Sequence, residues 1–150
     1  MRHVDRRIER SRGQGLVEMA VVTPLLLLLF VGVIDFGRVY YTTMTVAHAA
    51  RAGAQYGAQN NTTSSDIPGM EQAALDAAGD VSGVTADARQ FCQCASGQSV
   101  DCILDPDTCP EGVQQVYVQV TAEKVFTTML QYPGIPNTAD VARQVTIRVQ

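Results

Sequence analysis

An apolar run preceded by a basic cluster constrains this 150-residue chain more than any other feature. No residue from Met19 to Ile34 is charged. As a helix, the segment from Gln14 to Ile34 would be about 31 Å long, which matches the hydrocarbon core of a bilayer. The small-x-small cleavage site that ends a secretory signal peptide does not follow the run. The sequence therefore predicts a membrane-spanning helix, in preference to a cleaved signal or a buried core helix.

The charges on either side of the run predict its orientation. Residues 1–13 carry five arginines against Asp5 and Glu9, a net charge of +3, and the total of −4 leaves −7 for residues 14–150. Basic residues remain on the cytoplasmic side of a membrane helix. Residues 1–13 are therefore expected to be a cytoplasmic leader, and residues 59–150 an extracytoplasmic domain.

Glu18 stands at the start of this apolar run. Acidic side chains in membrane helices are costly and usually pair with another group. If the chain were cut after Gly13, Gln14 would become the N-terminus and Glu18 the fifth residue, so a new α-ammonium group would be its natural partner. The alternative is that Glu18 only reaches the lipid headgroups.

Four motifs, in order and in register, carry a family resemblance: RGQGLVE, PLLLLL, DFGR and AARAGAQYGA. The segment Gly13–Ala58 resembles the TadE-like proteins, pseudopilins of the tight-adherence (Tad, or Flp) pilus and secretion system. The leader is similar to the type III signal of type IV pilins, although Met19 stands where the family usually has Phe or Tyr. The resemblance implies that a prepilin peptidase cuts between Gly13 and Gln14. It also implies that Glu18 neutralises the terminal amine of a neighbouring subunit during assembly.

The resemblance also implies the partners and the location of the protein. The expected partners are the inner membrane, the prepilin peptidase of the Tad system, other Tad pilins and pseudopilins, and the assembly platform. The protein would cross the inner membrane once and could enter the pilus. The alternative function is a stably anchored extracytoplasmic scaffold or binding protein that is neither processed nor polymerised.

Enzymatic and nucleic-acid functions have no support in the sequence. It contains no glycine-rich phosphate loop and no histidine-rich cluster. The few basic residues after the leader form no patch, so we expect no nucleic acid among the partners. We also expect no enzyme activity, no cofactor, no metal and no small-molecule substrate.

The apolar run is expected to continue as one long helix over residues 14–58, spanning the membrane to about residue 36. Asp35 and Arg38 are three residues apart, so they can form an ion pair at the outer membrane interface; alternatively, both face headgroups. Beyond them, small residues recur every three or four positions: Ala47, Ala50, Ala54 and Ala58, with Gly53 and Gly57 beside them. Such a stripe permits close approach of another backbone. A pilin-like fold would make that backbone the protein's own sheet, and the alternative is a helix of another protomer.

The remaining residues predict a small α+β domain. The polar stretch Gln59–Gly69 is expected to end the long helix, and Asp66 to cap a short helix around Met70–Ala78. Apolar residues alternate with polar ones in 84–89, 116–121 and 144–149, as in half-buried antiparallel strands. The predicted fold is thus a long helix, a short helix and an antiparallel sheet of three or four strands.

The four cysteines lie between the first two of these strands. An even number of cysteines in a loop-rich extracytoplasmic stretch favours disulfides. Cys92 and Cys94 are too close along a strand to pair with each other, so each is expected to bond Cys102 or Cys109. A Cys-only zinc site is the alternative, although neither a CxxC pair nor a nearby histidine supports it.

Overall fold

The computed structural model describes residues 5–102, 109, 114–129, 134 and 136–149, with the backbone alone for 5–12 and 14. Its helices are α1 (Asp5–Gly57), α2 (Asn61–Ser64) and α3 (Ile67–Ala77). Its strands are β1 (Thr85–Cys94), β2 (Ser99–Val100), β3 (Gln114–Thr127) and β4 (Thr138–Arg148). The chain divides into two compact units, Met1–Arg38 and Val39–Gln150. The predicted α+β class, with a long N-terminal helix and an antiparallel sheet, is confirmed.

In the first unit, α1 carries apolar side chains on every side. Most of the large apolar side chains between Leu16 and Phe36 are exposed; Leu25, for example, exposes 63% of its surface and Phe30 71%. A helix that is hydrophobic all round belongs in a protein core or a membrane. Among the described residues, α1 is the one helix long and apolar enough to cross a membrane, and none of its most apolar stretch is buried. The helix is therefore compatible with a single-pass membrane anchor.

In the second unit, two short helices follow α1, and each begins at a polar cap. The Asn60 side chain accepts hydrogen bonds from the backbone N–H groups of Thr62 and Thr63, both at 2.9 Å. The polar stretch that was expected only to end the long helix therefore also contains α2. The Asp66 carboxylate accepts a hydrogen bond from Gly69 N at 3.1 Å and caps α3 as predicted. This helix begins at Ile67, so Pro68 lies in its first turn, where a proline is tolerated.

The strands form one sheet in the order β2–β1–β3–β4, with every neighbouring pair antiparallel. Ala88 of β1 pairs with Val120 of β3, which in turn pairs with Val145 of β4. The three alternating segments of the sequence lie along β1, β3 and β4. The fourth strand, β2, is two residues long and pairs only with β1 among the described strands.

The core of the second unit lies where α1 and α3 pack on one face of the sheet. Val46, Ala50, Met70 and Val120 have no exposed surface. At Gly53 an added Cβ would lie 2.6 Å from the carbonyl oxygen of Met70 and 3.1 Å from Val120 Cγ1. The small residues of α1 thus permit its backbone to approach α3 and β3. The prediction that this stripe packs on the protein's own sheet is confirmed.

Both disulfides link the end of β1 to the segment that follows it. Cys92 bonds Cys102, and Cys94 bonds Cys109, with Cα atoms 5.2 and 5.5 Å apart. Each bond joins one member of the first cysteine pair to one member of the second. Since none of the four is a free thiol, no thiolate remains here for a zinc ion.

Candidate assembly site

The predicted processing bond joins Gly13 to Gln14 within α1, and a second glycine, Gly15, follows Gln14. An added Cβ at Gly13 or at Gly15 would meet nothing within 4 Å, so packing does not require either glycine. Each glycine weakens a helix by about 1 kcal/mol relative to alanine. A protease binds its substrate in an extended conformation, and two glycines lower the cost of unwinding this turn. The Gln14 side chain and the residues before Asp5 lie outside the part that the structure describes.

Glu18 lies one helical turn after Gln14, on the same face of α1. Its side chain is exposed, and so are its apolar neighbours, with Val17 at 67% and Met19 at 64% of their surface accessible. Among side chains that the structure describes, none forms an ion pair with Glu18. A carboxylate on an apolar helix surface requires a partner in a low-dielectric environment. In a bilayer, Glu18 would therefore need a partner that lies outside the described side chains.

Asp35 and Arg38 form an ion pair at the end of the first unit. The Arg38 guanidinium donates a hydrogen bond to Asp35 Oδ1 at 3.2 Å. Their three-residue spacing places both side chains on one side of the helix, as predicted from the sequence. The position of this pair relative to a membrane surface stays a prediction.

A contact that sequence reasoning missed connects α1 to the N-terminus of α3. The Tyr56 hydroxyl donates a hydrogen bond to Asp66 Oδ2 at 2.8 Å, while Oδ1 of the same carboxylate caps α3. This hydrogen bond and the negative charge of Asp66 raise the pKa of Tyr56, because both favour the protonated phenol. The sequence showed Asp66 as a cap, but nothing in it indicated that Tyr56 would reach it.

The structure thus distributes the candidate residues along the chain. Gly13, Glu18 and the Asp35–Arg38 pair belong to the first unit, and the disulfides to the second. His48 is exposed on α1. Within the described residues, no group of three or more His, Cys, Asp or Glu side chains is arranged to hold a metal ion.

The N-terminal helix also carries the similarity to known proteins. Residues 13–55 match the family model described as TadE-like protein. No curated protein and no solved structure matches the chain. The match begins at Gly13, the residue before the proposed cut, and ends within the part of α1 that packs on the sheet. Over residues 13–55, this chain is similar to the TadE-like proteins.

Proposed function

We propose that this protein is a membrane-anchored pseudopilin that takes part in assembling a Tad/Flp-type pilus or secretion system. A prepilin peptidase cuts it after Gly13, and α1 holds it in the inner membrane until it joins other subunits. The N-terminal leader faces the cytoplasm and the second unit lies outside. The role is structural and not catalytic, and the partners are the peptidase, other Tad pilins and pseudopilins, and the assembly platform.

The observation that carries this proposal is the carboxylate of Glu18, which has no ion-pair partner among the described side chains and lies at the start of the apolar stretch of α1. A helix designed only to anchor a domain gains nothing from a charge at this position, since an acidic residue disfavours insertion. Glu18 is useful if a cation meets it within the membrane. A cut after Gly13 creates one, the α-ammonium group of Gln14.

The family match begins at residue 13, which supports the same spacing between the cut and Glu18. That residue, Gly13, is the last of the predicted leader, and the match includes the proposed cut, Glu18 and the apolar stretch. Five arginines in the leader support a cytoplasmic N-terminus, because basic residues resist translocation.

The test is the N-terminus of the mature chain. Mass spectrometry of the full protein, extracted from membranes of cells that contain the peptidase, should find a chain that begins at Gln14. Gly13→Ala should leave the leader attached. Gly15→Ala is the matched control, because it makes the same change two residues away and should be cut normally.

An intact leader on the wild-type protein would overturn the proposal. It would instead favour a stably anchored extracytoplasmic scaffold in which Glu18 only marks the membrane interface. Equal cleavage of wild type and Gly13→Ala would show that the peptidase does not use this glycine.

A further inference from the structure

The two disulfides of the second unit differ in the exposure of their cysteines. In the Cys94–Cys109 bond both residues are buried, with 3% and 5% of their surface exposed. In the Cys92–Cys102 bond, Cys92 is buried with 1% exposed, whereas Cys102 is exposed. One bond is therefore closed to solvent at both ends, and the other is open at one end.

This difference follows from where the cysteines lie in the sheet. Side chains alternate between the faces of a strand, so Cys92 and Cys94 lie on the same face of β1 as Ala88, which belongs to the core. Cys102 comes two residues after β2, the strand at one edge of the sheet. A residue beyond the end of an edge strand has the sheet on one side only. The exposure of Cys102 is thus a consequence of the fold.

The β1–β2 hairpin has backbone contacts that do not depend on the Cys92–Cys102 bond. Cys94 N donates a hydrogen bond to the Gln98 carbonyl oxygen at 2.9 Å, and Gly97 N donates one to the Cys94 carbonyl oxygen at 2.9 Å. Because these contacts close the turn between the two strands, the hairpin need not unfold when the disulfide opens. The bond can therefore react in the folded domain.

From this asymmetry we propose that Cys102 is the site at which an external dithiol, such as the active-site pair of an extracytoplasmic thiol–disulfide oxidoreductase, exchanges with this protein. The attacking thiolate bonds to Cys102 Sγ, and the bond to Cys92 Sγ breaks. The electron pair of that bond stays on Cys92 Sγ, which takes up a proton. The second thiol of the oxidoreductase then displaces Cys102 as a thiol. The dithiol is thereby oxidised to a disulfide and the Cys92–Cys102 bond is reduced; the reverse sequence forms this bond.

The exchange is confined to one of the two bonds. Thiol–disulfide exchange depends on access to the sulfur that is attacked, and buried cysteines are inert towards external thiols. The thiol released on Cys92 does not pass the reaction to Cys94. These two residues are about 7 Å apart along β1, whereas the Cβ atoms of a disulfide lie about 3.5 to 4.5 Å apart. The second unit thus has one exchangeable disulfide and one stable disulfide.

This inference goes beyond the proposed function, and only the extracytoplasmic location of the oxidoreductase rests on it. Because Cys102 is reachable in the folded domain, the Cys92–Cys102 bond can be closed or reopened after folding. The Cys94–Cys109 bond must instead form before the domain buries its two cysteines. The two bonds are therefore expected to form in a fixed order, with the Cys92–Cys102 bond last.

The test uses the full chain in mild detergent, with reduced glutathione as the probe. Free thiols are alkylated at successive times, the chain is cleaved at its aspartates, and the peptides are sequenced by mass spectrometry. Glutathione should be found on Cys102 and the alkyl group on Cys92. The Cys92–Cys102 bond should open about tenfold faster than the Cys94–Cys109 bond, because access governs the rate. Reduced thioredoxin, a dithiol protein, should release both thiols of the first bond and leave the second intact.

The control is the same chain in guanidinium chloride, where the two bonds should open at similar rates because burial no longer protects either. Cys92→Ser with Cys102→Ser, which keeps only the stable bond, should take up no glutathione in detergent. Equal rates in the folded chain, glutathione on a cysteine other than Cys102, or no reaction with thioredoxin would overturn the inference. So would a rate difference that persists in denaturant.

The N-terminus of the chain is measured in the same samples, so that the two proposals are judged separately. A chain that retains its leader but reacts selectively at Cys102 would reject the proposed function and support this inference. A chain that begins at Gln14 but reacts equally at both bonds would support the proposed function and reject this inference.

Discussion

The two halves of α1 differ in how they use the same helix. Between Leu16 and Phe36 the helix exposes large apolar side chains, with Leu25 at 63%. Towards Gly57 it buries small ones, and Ala50 and Ala54 have no exposed surface. The first half carries large apolar side chains on every side. The second half carries small side chains on its buried side and polar ones on its exposed side. Within the described residues, the second half packs on α3 and β3, whereas the large apolar side chains of the first half are exposed.

The glycines of the two halves differ in how closely other atoms approach them. An added Cβ at Gly32 would meet nothing within 4 Å, whereas at Gly53 it would meet the backbone of α3 and a side chain of β3. A small residue in the packed half is required by contact with the rest of the domain. In the exposed half, no contact within the described residues requires a small residue at Gly32. Substitutions should therefore affect assembly in one half and folding in the other.

The largest effect should come from Glu18→Gln in the exposed half. The neutral amide should be inserted and cut normally, because it costs the bilayer no more than the carboxylate. Assembly should fail, since losing one member of a buried ion pair costs about 3 to 5 kcal/mol. Pilus production is measured in cells whose variant is shown by mass spectrometry to begin at Gln14.

Glu18→Asp keeps the charge and is the matched control, which should retain part of the assembly. Normal pili from Glu18→Gln would mean that the exposed half needs no charged partner. The two halves would then differ only in their surroundings, lipid for the first half and the rest of the domain for the second.

The next effect concerns the disulfides of the second unit. Replacing Cys94 and Cys109 together by serine should lower the free energy of unfolding by about 3 kcal/mol, because the denatured chain loses a loop constraint. Amide hydrogen exchange of the full chain in detergent should show faster exchange in β1 and β3. Exchange in residues 16–36 should not change, and faster exchange there would contradict the separation of the two halves.

A smaller effect is expected from a single methyl group on the packed half. Gly53→Ala should destabilise the second unit by about 1 to 3 kcal/mol, because its Cβ would lie 2.6 Å from the Met70 carbonyl oxygen. Gly32→Ala makes the same change where space is open and should cost nothing. Chemical denaturation of both variants in detergent measures the difference. Equal stabilities would show that α1 does not need close approach to α3.

The smallest effect should be the loss of the Tyr56–Asp66 contact at high pH. The pKa of Tyr56 is raised in the folded protein, so the hydrogen bond stabilises fully below the ordinary tyrosine pKa of about 10. This stabilisation is lost as the pH rises through the higher folded pKa. Thermal unfolding at increasing alkaline pH should therefore show a steeper decline for wild type than for Tyr56→Phe. Parallel declines would mean that the contact does not contribute.

Local patterns in the sequence were sufficient to predict α1, α3 and the three longer strands of this fold. The apolar run, the Asp66 cap and the alternating segments each depend on neighbours a few residues away. Periodicity and helix caps can therefore be recognised in the sequence before the fold is known. The short β2 strand and the capping box of Asn60 are local as well, but each is too brief to stand out among polar residues.

By itself the sequence determined the anchor-like helix, the acidic residue near its start and the presence of alternating strands, because these follow from hydropathy, charge and period along the chain. Only the tertiary structure decided that Cys92 bonds Cys102 and Cys94 bonds Cys109, that β1 lies between β2 and β3, and that Tyr56 reaches Asp66. Each of these depends on which distant segments meet, and several arrangements satisfy the same local preferences.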